Sequence, residues 1–253
     1  MKTAILTGAS AGFGVELLRA AIKLCPDIDT YWLIARREDR LKALQAQFPE
    51  KKLRAVPLDL TDPAALSRLK KILNEEKPEI TLLMNNAGAG KLCDFAQSTA
   101  ESQLMQVDLN CRALTAVTRH CLPYMQRGSL ILNVSSIASF APTPRMTVYC
   151  ATKSYVQAFS RALREELKPQ KINVLAVCPG PMDTEFLGVA GIERGGSPTF
   201  DTLPHQNPTK MDEKALKAGL AGRSAYTMGP FYKFYRVLAH LLPKCILMKF
   251  TRC

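Results

Sequence analysis

Tyr149 and Lys153 stand four residues apart in TVYCATK, and Ser136 closes NVSS thirteen residues before the tyrosine. Residues four apart on a helix share a face, so the phenol and the ammonium would project together. A free phenol titrates near 10 and is a poor base at neutral pH, but a nearby positive charge favours its ionised form. Bringing it to about 7 takes roughly 4 kcal/mol of differential stabilisation, within reach of a desolvated site. Ser136, just beyond the apolar run Leu130–Val134, adds a fixed hydroxyl donor where charge builds on a reacting oxygen. Each residue alone has an ordinary use, Tyr149 on the buried face of a helix and Ser136 as a helix cap. Together they point to general acid–base chemistry.

Such side chains need a frame, and the apolar pattern provides it. Runs at Thr3–Thr7, Thr30–Ala35, Leu53–Leu58, Ile80–Met84, Leu130–Val134 and Ile172–Cys178 read as strands. Helical stripes lie between them at Val15–Cys25, Glu38–Phe48, Asp62–Glu76, Glu101–Met125 and Thr147–Leu167. Pro63 sits just inside the third helix, as a helix N-terminus prefers. This alternation builds βαβ units, hence an α/β fold with a parallel sheet covered on both faces. Right-handed crossovers leave a doubly wound, Rossmann-like nucleotide-binding sheet as the leading topology. Ser224–Met228 offers a seventh strand. Phe186–Lys210 is rich in glycine and proline without a period, and residues 186–212 are expected to form a lid over the substrate. No linker or repeat divides the chain, so residues 1–253 are expected to form one domain.

The composition excludes several classes. Hydrophobic residues make up 47% and charged residues 22%, an ordinary globular balance. No segment approaches the roughly 20 apolar residues that span a bilayer, and the first apolar run is too short for a signal core. The eight cysteines are scattered without metal-ligand spacing, so reduced thiols, a cytoplasmic setting and no metal are expected. A net charge of +12 raises the question of nucleic acid. No recognised motif or basic–aromatic interleaving accompanies it, so nucleic acid is not an expected partner.

The first strand runs into TGASAGFG, where Gly8, Gly12 and Gly14 allow a tight turn and close approach of a pyrophosphate. The helix that follows offers free N–H groups and a positive dipole end. The spacing is GxxxGxG, not the commoner GxGxxG. Arg36 and Arg37 end the second strand, where an acidic residue would accept a ribose 2′-hydroxyl. Arginine there suits a 2′-phosphate, so NADP(H) is expected in preference to NAD(H). Asp59 ends the third strand, placed to meet an adenine amino group.

TGASAGFG, Asp59, Asn85-Asn-Ala-Gly88, Asn110, Ser136, Tyr149-Cys-Ala-Thr-Lys153 and Pro179-Gly180 with Thr184 occur in one order. In this the chain resembles the short-chain dehydrogenase/reductase family over residues 3 to about 185. The resemblance implies a seven-stranded parallel sheet in the order 3-2-1-4-5-6-7. It also implies hydride transfer between a nicotinamide and an alcohol or carbonyl. On it, Tyr149 is the general acid/base, Ser136 holds the substrate oxygen, and Lys153 binds the nicotinamide ribose and lowers the tyrosine pKa. Asn110 anchors a proton-relay water to that lysine. Ser10 and Phe13 join the pyrophosphate turn, and Leu60 follows Asp59 beside the cofactor. Asn86, Ala87 and Gly88 pass the ribose, while Pro179, Gly180 and Thr184 contact the nicotinamide end. Cys150 stands where a small residue is common and suggests thiol sensitivity.

The family's specificity lies in the loop after the serine and the segment after the sixth strand. Phe140, Pro142, Pro144 and Met146 in one, and Phe186, Leu187 and Phe200 in the other, suggest an apolar pocket for a medium or large ketone. A steroid, fatty-acyl or aryl ketone would fit; Arg145 or Arg194 could instead meet an anionic tail. From Lys214 onward there are eight Lys or Arg and no Asp or Glu. Residues 229–253 form a basic amphipathic extension, which Pro243 divides. Three placements stay open for it: on an anionic membrane, over the pocket, or against a second subunit. The long helices Glu101–Met125 and Thr147–Leu167 are the family's usual dimer face, so a homodimer or homotetramer is expected. A non-catalytic NADP-binding redox sensor or membrane-surface scaffold is the alternative; the complete Ser136, Tyr149, Lys153 and Asn110 set favours an enzyme.

Overall fold

The computed structural model describes residues 1–192 and 198–251, so Arg194 and Cys253 lie outside the described residues. Its frame is one sheet of β1 (Lys2–Thr7), β2 (Thr30–Ala35), β3 (Lys52–Pro57), β4 (Glu79–Asn85), β5 (Met125–Val134), β6 (Asn173–Val177) and β7 (Ala225–Tyr226). All neighbours pair in parallel, in the order β3-β2-β1-β4-β5-β6-β7. This is the expected topology. Consecutive side chains of β1 serve opposite faces. Ala4 and Leu6 pack on α1 (Phe13–Leu24), while Ile5 packs with α3 (Pro63–Glu76). Strands buried on both faces explain the continuous apolar runs in the sequence.

The order reverses between β1 and β4, and such a switch point opens a cleft at the carboxyl ends of the strands. α2 (Glu38–Gln47) follows the arginine pair, and α6 (Thr147–Leu167) carries the Tyr149–Lys153 face.

Three elements differ from the sequence expectation. The helix expected over Glu101–Met125 is α4 (Ala100–Val107) and α5 (Leu114–Cys121), joined by a π-helical turn over Asp108–Ala113. Met125 already belongs to β5, which starts five residues before the expected Leu130. After β6 the chain is less irregular than its composition suggests. It forms α7 (Glu185–Val189), α8 (Pro198–Thr202) and α9 (Pro208–Leu220). The start of α9 overlaps the expected lid but is core. Asn207 caps it by accepting from Lys210 N at 3.0 Å, and Met211, Ala215 and Leu216 are buried against the sheet. At Gly219 an added Cβ would lie 2.8 Å from the Leu130 side chain, so the helix rests closely on β5.

The C-terminal segment breaks at Pro243, as expected, into α10 (Pro230–Leu241) and α11 (Lys244–Phe250). Ala239 and Leu247 pack with Phe140, Ala141 and Cys178, and Lys244 Nζ donates to Phe140 O at 2.8 Å.

Candidate active site

A cleft of about 660 Å³ runs along the carboxyl ends of the strands. Its first half is built from backbone. Gly8 and Gly12 have φ of 67° and 54°, left-handed values that a side chain would strain. A Cβ at Gly8 would also lie 2.8 Å from Ala87 Cα, so the turn packs directly on β4's exit. Asn86 staples the two, its Nδ2 donating to Gly8 O at 3.1 Å. Thr7, which the motif reading passed over, completes the staple by accepting from Asn86 N and Ala87 N, each at 3.1 Å. α1 starts at Phe13 with Gly12 as its cap and no side-chain acceptor there, leaving a positive helix end toward the cleft. Ser10, Phe13, Leu60, Gly88 and Pro179 line the same cleft. These residues fit a dinucleotide's pyrophosphate and ribose.

Arg36 and Arg37 lie at the cleft's outer end. Asp59 Oδ1 accepts from Thr61 N and Oγ1 at 2.9 and 2.7 Å, and its Oδ2 faces Arg36 at 3.9 Å. Partial burial opposes ionisation of Asp59, but the Thr61 hydrogen bonds and Arg36 outweigh it and lower the pKa. Arg37 bridges Ser10 Oγ at 3.3 Å and Glu185 at 3.1 Å, and Arg40 also pairs with Glu185. Neither Glu185 nor Arg40 carried a signal in the sequence, since Glu185 lies 148 positions from Arg37. The carboxylate sits where it would compete for Arg37 with a phosphate bound there. Glu185→Gln is therefore expected to tighten NADPH binding by about two- to fivefold, the scale of an exposed ion pair. Fluorescence titration checks this, and weaker or unchanged affinity would refute the competition.

The candidate reacting end is assembled from three segments. Ser136 leaves β5, Tyr149 and Lys153 descend from α6, and Asn110 lies in the π turn; all four are buried. π-turns of this kind often mark functional positions, because the wider turn re-aims one side chain. Here Asn110 exchanges hydrogen bonds with Ala89, its Oδ1 accepting from Ala89 N at 2.9 Å and its Nδ2 donating to Ala89 O at 2.8 Å. The same Nδ2 donates to Thr152 Oγ1 at 2.9 Å, tying the Gly88 loop to α6. Ser136 does serve as a cap, accepting from Ala138 N at 3.1 Å, and its hydroxyl lies near enough to the Tyr149 phenol to act on that group's pKa.

Lys153 Nζ donates to Val134 O at 2.9 Å and lies 5.7 Å from the Tyr149 ring centre. Burial lowers the ammonium's pKa to about 8. Burial also pushes the Tyr149 phenol well above its usual value, with the Ser136 hydroxyl opposing. The phenol is thus protonated at neutral pH in the chain alone, with a cation beside it that favours phenolate.

Beyond Tyr149 the cleft turns apolar. Met146, Phe186, Leu187 and Phe200 line it, with Tyr235 and Leu238 of α10 as a roof. The charged residues lining the cleft, among the described residues, are Arg36, Arg37, Asp59, Glu185 and Lys153. The first four lie at the arginine end and Lys153 beside the tyrosine. Arg145 is not among them and pairs with Asp94 at 3.7 Å.

Two further residues escaped sequence reasoning. Gln206 Oε1 accepts from Gly180 N at 2.9 Å while its Nε2 donates to Met228 O at 2.7 Å. Tyr232 covers Gly180 so closely that a Cβ there would lie 2.6 Å from the ring, and its hydroxyl donates to Pro204 O at 2.7 Å. Together they hold the Pro179–Gly180 turn. Thr184 lies against Gly12, 3.2 Å from where a Cβ would stand, which closes the two halves of the cleft on each other.

Comparison with known proteins supports this architecture. The family model described as short chain dehydrogenase matches residues 2–193. A serine 3-dehydrogenase of Agrobacterium fabrum is 32% identical over 190 residues, 73% of either chain. A short-chain dehydrogenase from Sphingobium yanoikuyae in complex with NADPH is similar over 98% of this chain and 96% of its own, with 30% identity and a TM-score of 0.79. A closed serine dehydrogenase complexed with NADP+ covers 90% of this chain and 95% of its own, at 27% identity and a TM-score of 0.78.

Proposed function

The chain belongs to the short-chain dehydrogenase family, and we propose that within it the protein is an NADP(H)-dependent oxidoreductase interconverting a medium or large apolar ketone and its alcohol. It is an oxidoreductase of the NAD(P)-dependent class by family. The observation that carries the finer reading is the buried Ser136–Tyr149–Lys153 cluster at the junction of a dinucleotide-shaped half-cleft and an apolar one. Support for NADP(H) comes from Arg36 and Arg37 and from relatives holding NADPH or NADP+.

When bound, the nicotinamide supplies or accepts the hydride. The chain's own residues handle the proton. Ser136 would donate a hydrogen bond to the substrate oxygen, and Tyr149 would pass its phenolic proton to that oxygen in reduction. Lys153 would hold the ribose and stabilise the phenolate that forms. The Asn110 side chain is engaged by Ala89 and Thr152, so the backbone of the π turn would anchor the relay to Lys153.

A free amino acid such as serine is a poor fit. Its carboxylate and ammonium would need charged partners, and the described lining beyond Tyr149 offers none. A ketone panel followed by NADPH absorbance is expected to show turnover of steroid, fatty-acyl or aryl ketones and none of serine oxidation. Turnover of serine alone would sink the apolar reading. The pH dependence follows in sign. Lys153 is protonated below about 8 and loses its charge above, while Tyr149 must carry a proton to act as acid. Ketone reduction is therefore expected to be level below about pH 8 and to fall above it.

A cytoplasmic homodimer or homotetramer completes this reading. Leu104 and Val107 on α4 and Tyr155 on α6 are exposed apolar side chains on the helices the family uses to pair. The seven described cysteines are free, in keeping with a reducing compartment.

A further inference from the structure

The outer face of α10 is apolar and uncovered. Phe231, Phe234, Val237 and Leu241 are 49%, 67%, 56% and 72% exposed, and their spacing puts them on one face of the helix. The inner face is occupied: Tyr232 and Ala239 are buried and Tyr235 lines the apolar cleft, which Leu238, beside Phe231 on the wheel, lines as well. Phe231 lines that cleft too, as does Val189, itself 66% exposed, so the stripe runs into the cleft mouth. α11 adds exposed Ile246.

Cations flank the stripe. Lys233 and Lys249 are exposed, and the chain has no Asp or Glu from Lys214 onward. A contiguous apolar face bordered by charge marks an interaction site. A second copy suits it poorly, because a two-fold contact would oppose two acid-free basic segments. An anionic bilayer matches both parts, its acyl boundary taking phenylalanine and leucine and its headgroups taking lysine and arginine. No helix among the described residues is long and apolar enough to cross a membrane, so the contact would lie along the surface.

We propose that α10 and α11 dock the protein on an anionic phospholipid surface, with the stripe in the acyl boundary and the cleft mouth opening toward lipid. The docking stands on the exposed stripe and its charge. Only the corollary, that an apolar substrate enters from the bilayer, rests on the function proposed above.

Flotation of the full chain with phosphatidylcholine vesicles, with and without about one-third phosphatidylserine, tests it. Binding is expected to the anionic vesicles, weakened by high salt. Phe234→Glu/Leu241→Glu alters two exposed residues outside the cleft and is expected to cut partitioning more than about tenfold. Its thermal unfolding and NADPH binding should match the parent. Lys233→Glu/Lys249→Glu should weaken binding through charge alone. No binding to anionic vesicles, or binding by both double variants equal to the parent's, overturns the proposal. So does a lipid-free oligomer that Phe234→Glu/Leu241→Glu dissociates, which would make the stripe a self-interface. Flotation reads no chemistry, so failure of the proposed reaction would leave its result standing.

Discussion

Tyr149→Phe is expected to lower kcat for ketone reduction by about a hundred- to ten-thousandfold, the range a positioned acid–base group supplies. NADPH affinity should be retained. The substitution removes one oxygen and keeps the ring, whose packing on Phe186 (centres 5.6 Å apart) and beside the Lys153 ammonium does not need the hydroxyl. The Ser136 hydroxyl keeps its hydrogen bond from Ala138 N. Stopped-flow hydride transfer and a parallel binding titration separate the two effects. Turnover near the parent rate would remove Tyr149 from the reaction. Tight NADPH binding by the unaltered protein, with no turnover of any ketone, would favour the redox-sensor reading instead.

The second large effect concerns cofactor choice. Arg36→Ala/Arg37→Ala is expected to reduce kcat/KM for NADPH roughly 10- to 150-fold, the equivalent of a charge-assisted hydrogen bond of about 1.5–3 kcal/mol. NADH should be used as before, because that cofactor carries a 2′-hydroxyl where NADPH carries the phosphate the arginines would meet. Arg37 already bridges Ser10 and Glu185, so its guanidinium is held at the cleft edge, whereas Arg36 is more exposed and only loosely opposed to Asp59. Arg37→Ala alone should therefore account for most of the loss. Steady-state kinetics with both cofactors decides it, and equal losses for NADPH and NADH would place the arginines in a structural role.

The strand–helix alternation, the glycine turn, the arginine pair and the Tyr149–Lys153 spacing were all legible in the sequence. Each is a local pattern: strand and helix periodicities repeat within a few residues, and a tight turn or a shared helix face demands particular residues at short, fixed offsets. The apolar cast of Met146, Phe186 and Phe200 was legible for a similar reason, since composition alone shows where a segment will avoid water.

Other features depend on partners far away in the chain. The π turn at Asp108–Ala113 leaves no periodic mark, because one wider turn barely alters an amphipathic stripe, yet it sets where Asn110 points. Glu185 meets Arg37 and Arg40, Gln206 meets Gly180, and Tyr232 closes over the same glycine only after β6, α9 and α10 have packed. The C-terminal segment had three open placements from its composition. Packing chose one face for Phe140, Cys178 and the cleft and left the other bare. Short-range chemistry thus specified the candidate reacting groups and the frame. Long-range burial chose which distant side chains hold that frame shut, since those pairings gain their free energy only when the folded core brings them together.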